Sequence, residues 1–91
     1  MNKEKLVKAN TLYRRMTDLE IKVSTLIGVT KDFAEMNTYR TPVLALRTAD
    51  HPEKYVREIE LSFEEYKRAV RVTLTACKAE LRKVYKEIEN L

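Results

Sequence analysis

The stretch Asp50-His51-Pro52-Glu53, followed by a run without glycine or proline to the end of the chain, decides the predicted fold. Asp three residues before Glu, with Pro inside the first turn, is a signature of a helix start. Apolar residues then recur at steps of three and four, which is a heptad seam with one extra four-residue step near Val70. We therefore predict a C-terminal helix over about residues 51–90, roughly 60 Å long. The seam consists of Val56, Ile59, Phe63, Tyr66, Val70, Leu74, Cys77, Leu81, Val84, Ile88 and Leu91.

A second start signature precedes this helix in the chain. In Thr17-Asp18-Leu19-Glu20 the spacing of Thr and Glu is that of a capping box, which predicts a helix over about residues 18–37. The box also predicts a break after a shorter helix over residues 3–15. Residues 38–50 read as a connector, in which Pro42 opens at most one helical turn. The apolar stripe of the middle helix is Leu19, Val23, Leu26, Thr30 and Phe33.

Length and composition favour a helical protein that associates with itself. The 91 residues have room for one domain, and they include one glycine, two prolines and 35% charged residues, as long helices do. A core this small gives little stability, and a single cysteine and a single histidine offer neither a disulfide nor a metal cluster. A second apolar line on the long helix, through Leu61, Val72, Ala76 and Ala79, gives that helix more than one partner. We predict a single all-α domain, residues 1–91, that forms a helical hairpin and assembles as a homo-oligomer.

The sequence gives no support for catalysis. It contains no glycine-rich phosphate loop, no metal-ligand spacing and no second base beside Cys77. Cys77 lies on the seam and reads as a small core residue, and His51 reads as a solvent-facing residue of a first helical turn. We expect no enzyme activity, no metal and no cofactor. Charged residues within 1–8 and the lack of a long apolar run predict a soluble protein inside the cell, with no membrane partner.

Basic residues crowd the second half of the long helix, and the net charge of the chain is +4. The simpler interpretation is a solvated face, and the alternative is an anion site formed where several copies meet. Direct nucleic-acid binding is disfavoured because Glu64, Glu80 and Glu87 lie nearby. The basic residues are Lys67, Arg68, Arg71, Lys78, Arg82, Lys83 and Lys86.

Gly28 is the only glycine, and it falls in the middle of a predicted helix. A helical glycine costs about 1 kcal/mol relative to alanine, and it often marks the close approach of another backbone or of a ligand. The stretch Gly28-Val29-Thr30-Lys31 therefore presents a small polar surface or, equally, a site of close helix packing.

The segment Tyr13-Arg14-Arg15-Met16-Thr17-Asp18-Leu19-Glu20-Ile21 resembles the opening motif of a phage family. These proteins are small helical-hairpin sponges that counter CBASS immunity by sequestering cyclic oligonucleotide signals. Later positions also match the family pattern, namely Asp50, Pro52, Tyr55 and Phe63-Glu64-Glu65. The resemblance extends from Tyr13 to about Val72.

The resemblance implies a homohexamer in the host-cell cytoplasm that binds cyclic dinucleotides between subunits without cleaving them. Tyr13 matches the tyrosine that stacks on a base, and Thr30 matches a retained threonine. Gly28 stands where the family has its phosphate-contacting lysine. Lys31 or a basic residue of a neighbouring subunit takes over the phosphate, or this protein binds a different ligand or none. Arg14, beside Tyr13, completes the set of candidate ligand residues.

Cyclic trinucleotides occupy a separate site in the family. Glu60 and Leu61 replace the arginine and threonine expected there, which puts that site in doubt. An alternative function rests on the heptad seam alone, because such a seam serves equally well in a protein-interaction module that docks a host or phage protein.

Overall fold

The computed structural model describes residues 2–35, 42–51, 53–54 and 56–91. Within them the elements follow the order α1 (Lys3–Asp32), β1 (Val43–Leu46), β2 (Arg57–Glu60) and α2 (Phe63–Glu89). The two helices pack against each other as a hairpin, and the two strands pair as a small antiparallel sheet. The helical hairpin is thus confirmed and the described chain is mostly helical, but the all-α prediction missed this small sheet.

Helix α1 is continuous, so the predicted break between residues 15 and 18 is wrong. Asn2 caps the helix by accepting a hydrogen bond of 2.7 Å from the backbone N–H of Lys5. The Thr17 hydroxyl donates to the carbonyl of Tyr13 at 3.0 Å, which is a bond of a helix interior and not of a cap.

The core explains why α1 does not break at its capping box. Leu12 and Leu19 are buried on the same side of α1, and Met16 and Val23 pack against the same cluster. These four residues follow one another at steps of four, three and four, which keeps one stripe facing α2 only if the helix is unbroken. Leu12 was missing from the predicted stripe.

The C-terminal end of α1 comes earlier than predicted. The helix ends at Asp32, Phe33 is its C-cap, and residues 33–35 form a turn. Residues 36 and 37, which the prediction also placed in this helix, lie outside the described residues. The predicted stripe from Leu19 to Phe33 is confirmed, since all five of its residues are buried or half-buried.

The strands occupy sequence that was predicted as connector and helix start. In β1, Val43–Leu46 is extended and not a helical turn, and it pairs with β2 so that Leu44 faces Ile59 and Leu46 faces Arg57. Each residue of β2, Arg57–Glu60, pairs with one residue of β1. The helix predicted from residue 51 is therefore wrong for residues 51, 53–54 and 56–62, whereas residues 52 and 55 lie outside the described part of the chain.

Helix α2 begins at a different capping box from the predicted one. The Ser62 hydroxyl accepts from the backbone N–H of Glu65 at 3.1 Å, and the Glu65 carboxylate accepts from the backbone N–H of Ser62 at 2.8 Å. Both halves of the box are present, and Ser62 is the N-cap. With 27 residues, α2 spans roughly 40 Å and not 60 Å.

The seam of α2 is confirmed from Phe63 onward, because every seam residue from there to Leu91 is buried or half-buried. Its predicted beginning is wrong, since Val56 and Ile59 are exposed. Leu81 and Val84, in the second half of α2, form the core with α1.

The core of the described chain is small. Its buried apolar residues are Ala9, Leu12, Leu19, Leu81 and Val84. At the other end of the hairpin, the ring of Phe33 meets Phe63 edge-to-face at 6.2 Å between centroids and Tyr66 at 5.8 Å. These two clusters hold the ends of the antiparallel helices together.

Candidate functional site

Four of the five candidate ligand residues lie on the outer side of α1. Tyr13, Arg14, Gly28 and Lys31 are all exposed, and Tyr13 is 50% exposed. At about 100° per residue, Arg14 and Gly28 fall opposite the stripe that packs on α2, whereas Tyr13 and Lys31 fall on one flank of it, about 110° from its centre. The side chains of Tyr13, Arg14 and Lys31 are thus presented away from the core of their own chain.

Thr30 lies on the other side of α1. It is half-buried, and its hydroxyl donates to the carbonyl of Ile27 at 2.7 Å. This hydroxyl proton is therefore already used within the helix. Thr30 therefore lies apart from the other candidate residues. This separation follows from the spacing of the residues along one helix.

The candidate residues are far apart along the helix axis. Tyr13 and Gly28 are separated by roughly 22 Å, and Tyr13 and Lys31 by roughly 27 Å, at about 1.5 Å per residue. One chain therefore does not bring the aromatic ring and the lysine to one small ligand. A site that uses both requires a second chain.

Gly28 is not explained by packing within the described chain. A Cβ built at Gly28 meets nothing within 4 Å, and Gly28 has no positive φ. Neither a close helix contact nor an unusual backbone conformation thus requires glycine here. The position leaves open space where a lysine side chain would otherwise project.

An open depression of about 560 Å³ runs beside Gly28 and Lys31. Glu20 of α1 and Tyr85 of α2 also line it. Partial desolvation, followed by the negative charge and the hydrogen bond of Glu20, raises the pKa of Tyr85. Tyr85 is therefore a neutral phenol beside Glu20 of α1.

Tyr85 also borders a second depression, of about 530 Å³, on the outer face of α2. Three of the predicted basic residues line it, namely Arg82, Lys83 and Lys86. Tyr85 was not among the ligand residues predicted from the sequence. Arg82 stands three residues before Tyr85 on the same helix, and this spacing was the signal that could have placed Tyr85 beside a cation.

The basic residues nearer the start of α2 are engaged differently. Lys67 forms an ion pair of 2.7 Å with Glu64, and its ammonium group lies 4.7 Å from the centre of the Phe63 ring. The hydrogen bond and charge of Lys67 lower the pKa of Glu64. Arg71 lies over the Phe33 ring at 5.6 Å. The predicted basic face thus has two parts. Lys67 and Arg71 contact side chains of their own chain, whereas Arg82, Lys83 and Lys86 border an open depression.

Cys77 is half-buried and not fully buried. With Ile21, Leu26 and Thr73 it lines a depression of about 320 Å³ between the helices. His51 is exposed, and the described residues contain no group of three or more His, Cys, Asp or Glu side chains that could hold a metal ion. Neither described helix has the length and apolar character needed to cross a lipid bilayer.

Comparison with known proteins gives no relative for this chain. No protein-family model, no curated protein and no solved structure matches it. The site must therefore be interpreted from its own residues and from the sequence motif around Tyr13.

Proposed function

We propose that this chain is a phage anti-defence protein that binds and sequesters cyclic di- or oligonucleotide immune signals without cleaving them. It works in the host-cell cytoplasm as a homo-oligomer, with a hexamer as the expected state. The observation that carries the proposal is the exposure of Tyr13, Arg14 and Lys31 on α1, outside its core stripe. The motif that contains Tyr13 supports the ligand class.

Self-association is supported by the balance of buried and exposed apolar residues. The described chain buries only five apolar residues, whereas Ile21, Val72 and Leu6 are each more than half exposed. Exposed apolar surface on a small core is the usual mark of an interface with another chain. An oligomer covers this surface and also brings Tyr13 of one copy near the basic residues of another.

Each candidate residue has a distinct role in the proposed binding. The exposed ring of Tyr13 stacks on a base, and the Arg14 guanidinium pairs with a phosphate oxygen. Lys31 of an adjacent copy contributes a second positive charge to the phosphate. Binding alone then removes the signal from solution, because each occupied site holds one molecule that no longer reaches its receptor.

Titration with labelled cyclic di- and trinucleotides tests the proposal. We expect Tyr13→Ala to weaken binding by about tenfold or more, since stacking on one base contributes about 1–3 kcal/mol. The matched control is Tyr13→Phe, which keeps the ring and the stacking. Light scattering should show the same assembly for both variants. Absence of binding at micromolar concentrations for every cyclic nucleotide would overturn the proposal.

A substitution at Gly28 tests the proposal through an expected gain in affinity. The space around its Cα admits a long side chain, and this is the position at which the resembling family carries its phosphate-contacting lysine. We expect Gly28→Lys to tighten cyclic dinucleotide binding and Gly28→Ala to leave it unchanged. Equal affinities for the two variants would argue that the phosphate lies elsewhere.

A protein-interaction module remains the second candidate function. The apolar depression formed by Ile21, Leu26, Thr73 and Cys77 favours it, because an amphipathic helix of a partner protein fits such a groove between two helices. A monomer by light scattering that binds one host or phage protein and no cyclic nucleotide would support this function over the first.

A further inference from the structure

The two strands of the hairpin differ in charge. β1, Val43–Leu46, has no charged residue, whereas β2, Arg57–Glu60, has three in four positions. Among the described residues each strand pairs only with the other, so each has one open edge. Charged residues protect an open edge from pairing with another chain, and β1 lacks this protection.

The hydrogen-bond register shows which groups of β1 point outward. The backbone N–H of Leu61 donates to the carbonyl of Pro42 at 2.9 Å, and these residues continue the β1–β2 register. Hydrogen-bonded pairs alternate along an antiparallel ladder, so Leu44 is bonded to β2. Val43 and Ala45 therefore direct their N–H and C=O groups to the open edge.

The hairpin also has one apolar face. Side chains alternate along a strand, so Leu44 and Leu46 share a face with their cross-strand neighbours Ile59 and Arg57, and three of these four residues are apolar. All three are exposed, at 40%, 48% and 47% respectively. The opposite face carries Glu58 and Glu60. A two-stranded sheet with an exposed apolar face is marginally stable in water, and further strands stabilise it.

We propose that the open edge of β1 pairs with β1 of a second copy of this chain. The two strands run antiparallel about a two-fold axis at Leu44, which gives a four-stranded sheet in the order β2-β1-β1-β2. Val43 of each copy exchanges two backbone hydrogen bonds with Ala45 of the other. The two Leu44 side chains meet at the axis, and Ile59 flanks them on both sides.

The absence of opposed like charges favours this pairing over the pairing of two β2 edges. The β1 edge is neutral along its whole length, so two copies meet without opposed charges. Pairing of two β2 edges about Ile59 would instead place Glu58 of each copy opposite Glu60 of the other, and like charges directly opposite are destabilising. Pro42 does not obstruct the β1 pairing, because its position beyond Val43 is not a hydrogen-bonded one in this register.

The inference rests on the self-association in the proposed function, and it names one interface of that assembly. It requires no ligand. The pairing joins chains two by two, which is compatible with any even-numbered oligomer built with a further interface on the helices.

Disulfide trapping tests the geometry in a Cys77→Ser background. Leu44→Cys places two thiols opposite each other at the axis, so mild oxidation should give a covalent dimer on a non-reducing gel. The control is Ile59→Cys, on the same face with similar exposure, where three strand spacings separate the two thiols by about 14 Å. We expect cross-linking at least about tenfold faster for Leu44→Cys. Equal rates, or no cross-link, would overturn the inference.

Proline substitution tests the pairing of the β1 edge without introducing a reactive thiol. Ala45→Pro removes an N–H that points to the β1 edge, and Glu58→Pro removes one that points to the β2 edge; neither N–H takes part in the β1–β2 ladder. We expect Ala45→Pro to weaken self-association by about tenfold in sedimentation experiments, and Glu58→Pro to leave it unchanged. The same effect from both variants would contradict the inference.

Cyclic nucleotide titration of the same samples keeps this inference separate from the proposed function. Cross-linked Leu44→Cys protein that binds no cyclic nucleotide would overturn the ligand assignment alone. Protein that binds a cyclic nucleotide but does not cross-link at Leu44 would overturn the β1 pairing alone.

Discussion

Two segments of this chain carry the same capping-box pattern, and only one of them starts a helix. Thr17-Asp18-Leu19-Glu20 lies inside α1, where the Thr17 hydroxyl donates to a carbonyl of the preceding turn. Ser62-Phe63-Glu64-Glu65 begins α2, with both hydrogen bonds of the box formed. A capping box contributes about 1 kcal/mol, whereas burial of a single leucine contributes about 2 kcal/mol or more. Where the pattern and an uninterrupted buried stripe compete, the stripe prevails.

The largest expected effect comes from proline at Asp18. If α1 is continuous, Asp18→Pro removes an interior hydrogen bond and clashes with the preceding turn, which costs about 3 kcal/mol or more of unfolding free energy. If a helix began at this box, proline would be accepted at its first position. Urea unfolding at one fixed protein concentration measures the difference, with Asp18→Ala as the control. An unchanged free energy of unfolding for Asp18→Pro would instead support the helix break that the sequence predicted.

Alanine at Ser62 has the next largest effect. Ser62→Ala removes the acceptor for the backbone N–H of Glu65, and we expect a loss of about 1 kcal/mol. Ser62→Asn, which supplies another acceptor, should restore most of it. A neutral Ser62→Ala variant in the same urea assay would indicate that α2 does not depend on its box.

Alanine at Thr17 has a smaller effect of the opposite sign. Thr17 is exposed within a helix, where alanine has the higher intrinsic helix propensity, so Thr17→Ala should stabilise the protein by up to about 0.5 kcal/mol. A functional cap at Thr17 would give a loss of about 1 kcal/mol instead. The sign of the change in urea midpoint therefore distinguishes the two.

The smallest effect concerns pH. The backbone N–H and then the hydroxyl of Ser62 hold the pKa of Glu65 below its ordinary value of 4.5. Because the folded-state pKa is lowered, this stabilisation is present above pH 4.5 and is lost as the pH falls below it. Glu65→Gln should therefore show a flatter loss of stability on acidification in thermal unfolding at several pH values. Identical acid slopes for the two proteins would contradict the Ser62–Glu65 hydrogen bonds.

The helical hairpin was predictable because its buried stripes have a period that only a helix satisfies. The stripe from Leu19 to Phe33 and the seam from Phe63 to Leu91 keep that period over many turns. The strands were not predictable by the same means. Val43–Leu46 is a four-residue apolar run, too short for its period to distinguish strand from helix, and residues 56–60 combine strand alternation with three-residue spacing.

The candidate site was predictable in part. The outward position of Tyr13 and the inward position of Thr30 both follow from their spacing to Leu19 on one helix. The contact between Tyr85 and Glu20, in contrast, joins residues far apart in the chain, and it depends on how the two helices align. Single-helix periodicity contains no information about that alignment.

The edge-to-face contact of Phe33 and Phe63 should allow the segment between them to be replaced without loss of the helix pairing. Because the two rings are 6.2 Å apart, the chain leaves the helical hairpin and returns to it at nearly the same point. Replacing the segment changes its closure entropy only slowly with length, so a short turn or a longer insertion between these rings should leave the two helices paired. Variants of this fold can therefore diversify in residues 34–61, including the β1 edge, while the two helices stay unaltered.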